Sequence, residues 1–88
     1  MAPTLSEAEV AGLGKTTVVD ARGVACPGPM LEAKKAMGGI GLGEVMELLS
    51  GDSQTKEDMD YWTEMTGHSF LGVVPARGYD RLFIRRGK

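Results

Sequence analysis

Two prolines separated by one glycine, Pro27 and Pro29 in "RGVACPGPMLEAKKAM", constrain the fold of this chain more than any other feature. Neither proline has a backbone N–H to donate, so neither a strand nor a helix interior runs through both. Upstream, "KTTVVDA" is rich in β-branched residues and predicts a strand at about 16–20. Downstream, "PMLEAKKAM" consists of good helix formers and is stopped by Gly38-Gly39. The junction between them must therefore be a loop, with the prolines in the first turn of the helix, where a missing N–H costs nothing. The only cysteine of the chain, Cys26, stands immediately before that turn.

The rest of the chain repeats this alternation. On the 29–37 helix, Met30, Ala33 and Met37 share one face. "EVMELLS" predicts a second strand, with Met46 and Leu48 facing the core and Val45, Glu47 and Leu49 on the other side. "GDSQTKEDMDYWTEMTG" predicts a second helix, with Asp52 or Ser53 as its cap and Gly67 as its stop. Met59, Trp62 and Thr66 lie on one face of it, with Tyr61 and Met65 beside them. "SFLGVVP" and "YDRLFIRR" predict two final strands around the turn "ARG". In the last strand Leu82 and Ile84 alternate with Arg81, Phe83 and Arg85, the pattern of a sheet with one covered face. The expected fold class is α+β, a two-layer α/β sandwich in the order β-α-β-α-β-β, with two helices on one face of a four-stranded mixed sheet. Ser6 and Glu9 have the spacing of a capping box, so "SEAEVAGL" can form a helical turn ended by Gly12 and Gly14. Residues 1–14 are expected to be a flexible extension and residues 15–88 the folded domain.

Eighty-eight residues, 42% of them hydrophobic and 25% charged, suit one small globular domain. A single cysteine excludes an internal disulfide and points to a reducing, cytoplasmic setting. With one histidine, His68, a Cys/His zinc site cannot be completed within one chain. No apolar run is long enough to span a membrane, and the first residues lack the basic start of a secretory signal. Charge is unevenly placed. Residues 44–68 carry seven acids against Lys56, and residues 77–88 carry five bases against Asp80.

A thiol at a helix start lies near free backbone N–H groups and the positive end of the helix dipole. Such a setting favours thiolate, the nucleophilic form, and lowers a cysteine pKa from about 8.5 by a unit or more. Gly28 leaves one side of the sulfur unshielded. The competing reading is a small buried hydrophobe, the commonest role of a lone cysteine. The residues alone leave both open.

"DARGVACPGPMLEAKKAM" closely resembles the signature of TusA-like (SirA-like) sulfur-carrier proteins, in which a strand ending in an aspartate leads into Gly-x-x-Cys-Pro-x-Pro and a helix. The resemblance runs from about Thr17 to Arg86. It includes Gly43-Glu44, Asp52, Thr55-x-x-Asp58 and the closing "LFIRR". It implies the β-α-β-α-β-β sandwich, similar to the C-terminal domain of translation initiation factor three. It implies that Cys26 accepts sulfane sulfur as a persulfide and passes it on, with no cofactor. Gly23, Pro27, Gly28 and Pro29 would shape the cysteine turn, and Lys34, Lys35 and Asp52 would face partners. The implied donors are a cysteine desulfurase or a rhodanese-type protein. The implied acceptors are DsrE-like or other sulfur-accepting proteins serving tRNA thiolation, cofactor synthesis or sulfur oxidation. Three positions depart from the family pattern: Gly28 replaces an acidic residue frequent between the prolines, and Glu57 and Glu64 stand where tRNA-thiolating members carry basic or apolar residues.

The arginine-rich last hairpin offers an alternative, a non-catalytic regulatory or RNA-binding module. Direct nucleic-acid binding is not expected of a chain with pI near 5.3 and no basic–aromatic interleaving elsewhere. His68 reads as a helix-end residue, Trp62 as core, and the six methionines as packing.

Overall fold

The computed structural model describes residues 4–24 and 28–88. Its elements are α1 (Glu7–Ala11), β1 (Thr16–Ala21), α2 (Gly28–Met37), β2 (Val45–Ser50), α3 (Thr55–Thr66), β3 (Ser69–Ala76) and β4 (Tyr79–Arg85). The strands form one mixed sheet in the order β1-β2-β4-β3, with β1 parallel to β2 and the other pairs antiparallel. This is the expected α+β arrangement, with α2 and α3 on one face.

The core beneath the helices follows from the two periodicities. Met46 and Leu48 of β2 and Leu82 and Ile84 of β4 alternate onto the helix face. They meet Ala33 and Met37 of α2 and Met59 of α3, all buried. On α3 the buried positions are Thr55, Met59 and Thr63, spaced by four. Trp62 packs partly against the core. Thr66, expected on the buried face, is half-buried, and Tyr61 and Met65 stand out in solvent. Among the described residues no helix is long and apolar enough to cross a membrane.

The other face departs from expectation. Phe83, Val45 and Val74 are buried there rather than exposed. Leu5, Val10 and Leu13, from the segment before β1, pack on them. The Ser6–Glu9 capping box forms, the Glu9 N–H donating to Ser6 Oγ at 3.2 Å and the Ser6 N–H to Glu9 Oε1 at 3.1 Å. The Leu5 N–H donates to the Val73 carbonyl at 2.8 Å, and Thr4 bridges to Val73 in parallel register. Arg81 reaches both Glu47 (2.9 Å) and Glu7 (2.8 Å), so the segment is tied by charge as well as by apolar contact. Hydrogen bonding to Glu47 is the main reason the Arg81 pKa lies above its ordinary value.

Gly67 ends α3 in the left-handed conformation at φ 86°, which glycine adopts without strain. His68 then ties the chain end back. Its Nδ1 accepts the Gly87 N–H at 3.0 Å, and its ring lies 5.2 Å from that of Trp62. Burial, then the charges of Arg86 and Lys88, lower the His68 pKa. The folded chain thus favours the neutral ring, and the stability this adds is full above the unfolded value near 6.5. It falls away as pH drops through the lowered folded value. We expect a shallow loss of stability as the pH falls below about 6.5. His68→Gln should flatten that slope in urea titrations across the range.

Candidate functional site

Because β1 and β2 are parallel, their carboxyl ends lie at the same end of the sheet, with Ala21 opposite Ser50. The loops that follow them meet there. A shallow depression is lined by Arg22, Gly23, Val24, Gly51, Asp52 and Ser53. The approach is close at Gly51, where a Cβ would stand 3.1 Å from the Arg22 carbonyl oxygen, tighter than an ordinary contact.

Arg22 organises the first loop. Its guanidinium grips Asp20 with both arms, Nε to Oδ1 at 2.9 Å and Nη2 to Oδ2 at 2.7 Å, and its backbone N–H also donates to Oδ1 at 3.1 Å. The guanidinium lies 5.0 Å from the centre of the Tyr79 ring. These side-chain hydrogen bonds, ahead of charge attraction, pull the Asp20 pKa down to about 2 and push that of Arg22 up. Asp20 is therefore an anion, and Arg22 a cation, throughout the working pH range.

The second loop is held from below. Ser50 and Thr55 are both buried, and their hydroxyls lie 2.8 Å apart. Ser50 Oγ also accepts the Asp52 N–H at 3.1 Å. Asp52 turns its carboxylate inward, Oδ1 accepting the Gln54 N–H at 2.9 Å. The cap position of α3 is Gln54, which makes no side-chain capping bond. Asp52 thus acts two residues ahead of the cap position, and Ser53 does not occupy it. Thr55→Val should cost about 1–2 kcal/mol in chemical denaturation, since it strips the buried Ser50 hydroxyl of one partner.

Gly28 opens α2, and Pro29 is buried on the same face as Ala33 and Met37. A Cβ on Gly28 would fall 1.9 Å from Val24 Cγ1, so Val24 occupies the space that any larger residue between the prolines would claim. Cys26 and Pro27 lie outside the described residues. Lys34 and Lys35 are exposed in the last turn of α2 and do not line the depression. The structure therefore brings together Gly23 and Asp52 but not the two lysines. Arg22 and Val24 also line the depression, and Asp20 and Tyr79 hold Arg22; the sequence reading singled out none of the four, though the Asp-x-Arg spacing of 20 and 22 is the signal that points to the fork.

The arginine hairpin is largely committed internally. Arg81 serves Glu47 and Glu7, and Arg86 donates to the Ile40 and Lys88 carbonyls.

Comparison with known proteins agrees with this architecture. The family model of sulfurtransferase TusA matches residues 17–86. A Bacillus subtilis protein, YrkF, described as a candidate sulfur carrier, is 39% identical over 72 residues, covering 82% of this chain. The chain spans only 39% of the length of YrkF. A candidate sulfur carrier of Archaeoglobus fulgidus is 38% identical over 71 residues, which are 81% of this chain and 97% of that protein. The crystal structure of a SirA-like protein from Desulfitobacterium hafniense superposes with a TM-score of 0.71 at 25% identity, covering 84% of this chain and all of the other. The chain belongs to the TusA sulfurtransferase family.

Proposed function

We propose that this chain is a sulfur carrier that takes sulfane sulfur onto Cys26 as a persulfide and relays it to a partner protein. The observation carrying the proposal is the family match over residues 17–86, an interval that contains the only cysteine of the chain. The names of the relatives support the same role. The working unit is residues 15–88, preceded by the 1–14 extension.

Loading is a thiolate exchange. The Cys26 thiolate attacks the outer sulfur of a donor R–S–SH, the S–S bond of the donor breaks, and the donor leaves as R–S⁻. The product is Cys26–S–SH, with the proton still on the transferred sulfur. Delivery repeats the step: an acceptor thiolate attacks that outer sulfur and Cys26 thiolate departs. Sulfur oxidation states balance, and no outside oxidant enters. With no second cysteine, release depends on the acceptor's own thiol.

Gly23, Pro27, Gly28 and Pro29 shape the turn that presents Cys26, and Lys34, Lys35 and Asp52 belong to the partner-facing surface. Donors are cysteine desulfurases or rhodanese-type proteins, and acceptors are DsrE-like or similar proteins in the cytoplasm, serving tRNA thiolation or sulfur oxidation. The acidic Glu57 and Glu64 favour an acceptor with a basic contact surface.

Intact-mass spectrometry without reductant tests this, after incubation with cysteine and a desulfurase or with thiosulfate and a rhodanese. Wild type should gain one sulfur atom, reversibly on reduction, and Cys26→Ala should gain none. No gain from either donor, together with slow alkylation of Cys26 at neutral pH, would overturn the proposal.

A further inference from the structure

The sheet face opposite the helices has a cover of its own. The family match begins at residue 17, whereas the residues covering this face are Leu5, Val10 and Leu13. The interval shared with the family therefore supplies an apolar face, Val45, Leu71, Val74 and Phe83, and the cover comes from outside it.

The cover is slenderly held. Its helix α1 has five residues, too few to be stable alone. Its apolar side chains are only partly buried. Among the described residues its backbone meets β3 at Val73, through the Leu5 N–H and the parallel bridge of Thr4. The Glu7 end of its ion pair with Arg81 is 73% exposed. Gly12 and Gly14, the latter at φ 77°, separate it from β1 and supply a pivot.

The face beneath is self-complementary. Glu47 and Arg81 sit side by side at its centre, so a copy related by a twofold axis meets opposite charges across the axis. Val45, Leu71, Val74 and Phe83 stand near them, with Arg85, opposite Val45, and Asp20, opposite Leu49, further out on the same face. The charge that Arg81 loses when Glu7 leaves is replaced by Glu47 of the second copy.

We infer that residues 4–13 are a displaceable cover over a self-association face, and that a second copy of this chain takes that face when the cover is released. The cover keeps the chain monomeric. This inference stands apart from sulfur transfer and holds whether or not Cys26 carries sulfur.

The test uses the full-length chain with Leu5→Asp and Val10→Asp together, under reducing conditions so that Cys26 cannot cross-link. Circular dichroism checks folding, and light scattering after size exclusion reads mass across a wide concentration range. The expected result is a folded variant whose mass doubles with concentration while wild type stays monomeric. Adding Val74→Asp, on the uncovered face, should return the folded variant to a monomer. A folded variant that stays monomeric overturns the inference, as does a dimer indifferent to Val74→Asp. An unfolded variant overturns it too, since the segment would then be an integral layer and not a displaceable one. A dimeric wild type overturns it as well.

Discussion

Truncating Phe83 to alanine should cost the full-length chain about 3–5 kcal/mol, the usual range for removing a fully buried aromatic ring. The ring is completely buried on β4, opposite Glu47 on one neighbouring strand and Gly72 on the other. It packs in the cluster of Val45, Val74, Leu5, Val10 and Leu13, and the Arg81 guanidinium lies 5.5 Å from its centre. Removing it leaves a hole that the sheet cannot close, because the strands on both sides are fixed by their ladders. It also takes away the platform on which residues 5–13 rest. A domain of this size has only about 5–15 kcal/mol in total, so the variant should sit near its unfolding threshold at room temperature. Phe83→Leu, which keeps most of the volume, should cost about 1.5 kcal/mol or less. Urea denaturation of the pair measures both. An alanine variant within about 1 kcal/mol of wild type would show that the ring is not sealed by the N-terminal segment.

The second large effect is expected at Gly28. Gly28→Glu puts in the acidic residue that the family resemblance leads one to expect between the prolines, yet here it should destabilise by about 1–3 kcal/mol, as overpacking does. The obstacle is local. The new Cβ would stand 1.9 Å from Val24 Cγ1 and 3.2 Å from Val24 Cβ, so a turn of the stiff, β-branched Val24 side chain relieves only the first contact. Gly28 is not among the glycines at positive φ, so the cost is steric and not conformational. Val24→Ala should therefore rescue it: the double variant should be more stable than the sum of the singles by about 1 kcal/mol or more. Sulfur loading should follow the same pattern, weakened in Gly28→Glu and recovered in the double variant. Additive losses in the denaturation cycle would show that the two residues do not compete for one space.

The order of elements was legible because each is bounded by a residue with a strong backbone preference: the two prolines, Gly38-Gly39 and Gly67. Ala33, Met37, Met46, Leu48 and Met59 were legible as core because alternation and four-residue spacing repeat at those positions. The second face was not. Along β2 and β4, Val45 and Phe83 alternate with Glu47 and Arg81 on one side, which reads as a solvated surface unless the ion pair and its cover are known. That cover is a five-residue helix, too short to display a period. Gly23 and Asp52 were singled out through the resemblance to the family signature, and the structure places both at one depression. The fork of Arg22 on Asp20 was not legible, because a pair two residues apart on a loop faces each other only through backbone geometry. Thr63 was missed in favour of Thr66 because a face drawn from Met59 and Trp62 alone can lean either way around the helix.

The order β1-β2-β4-β3 leaves the sheet with two rims of different character. At β3, Thr4 and Leu5 already occupy the rim at Val73. At β1, no described residue pairs along the outer side, and Val18 stands 57% exposed there beside Thr17 and Asp20. A row of open amides is a template for templated growth. Asp20 interrupts it with a charge that no ordinary pH removes, so the strand carries its own guard against stacking into fibres. Lengthening the apolar run by exchanging that aspartate would remove the guard and the loop fork together.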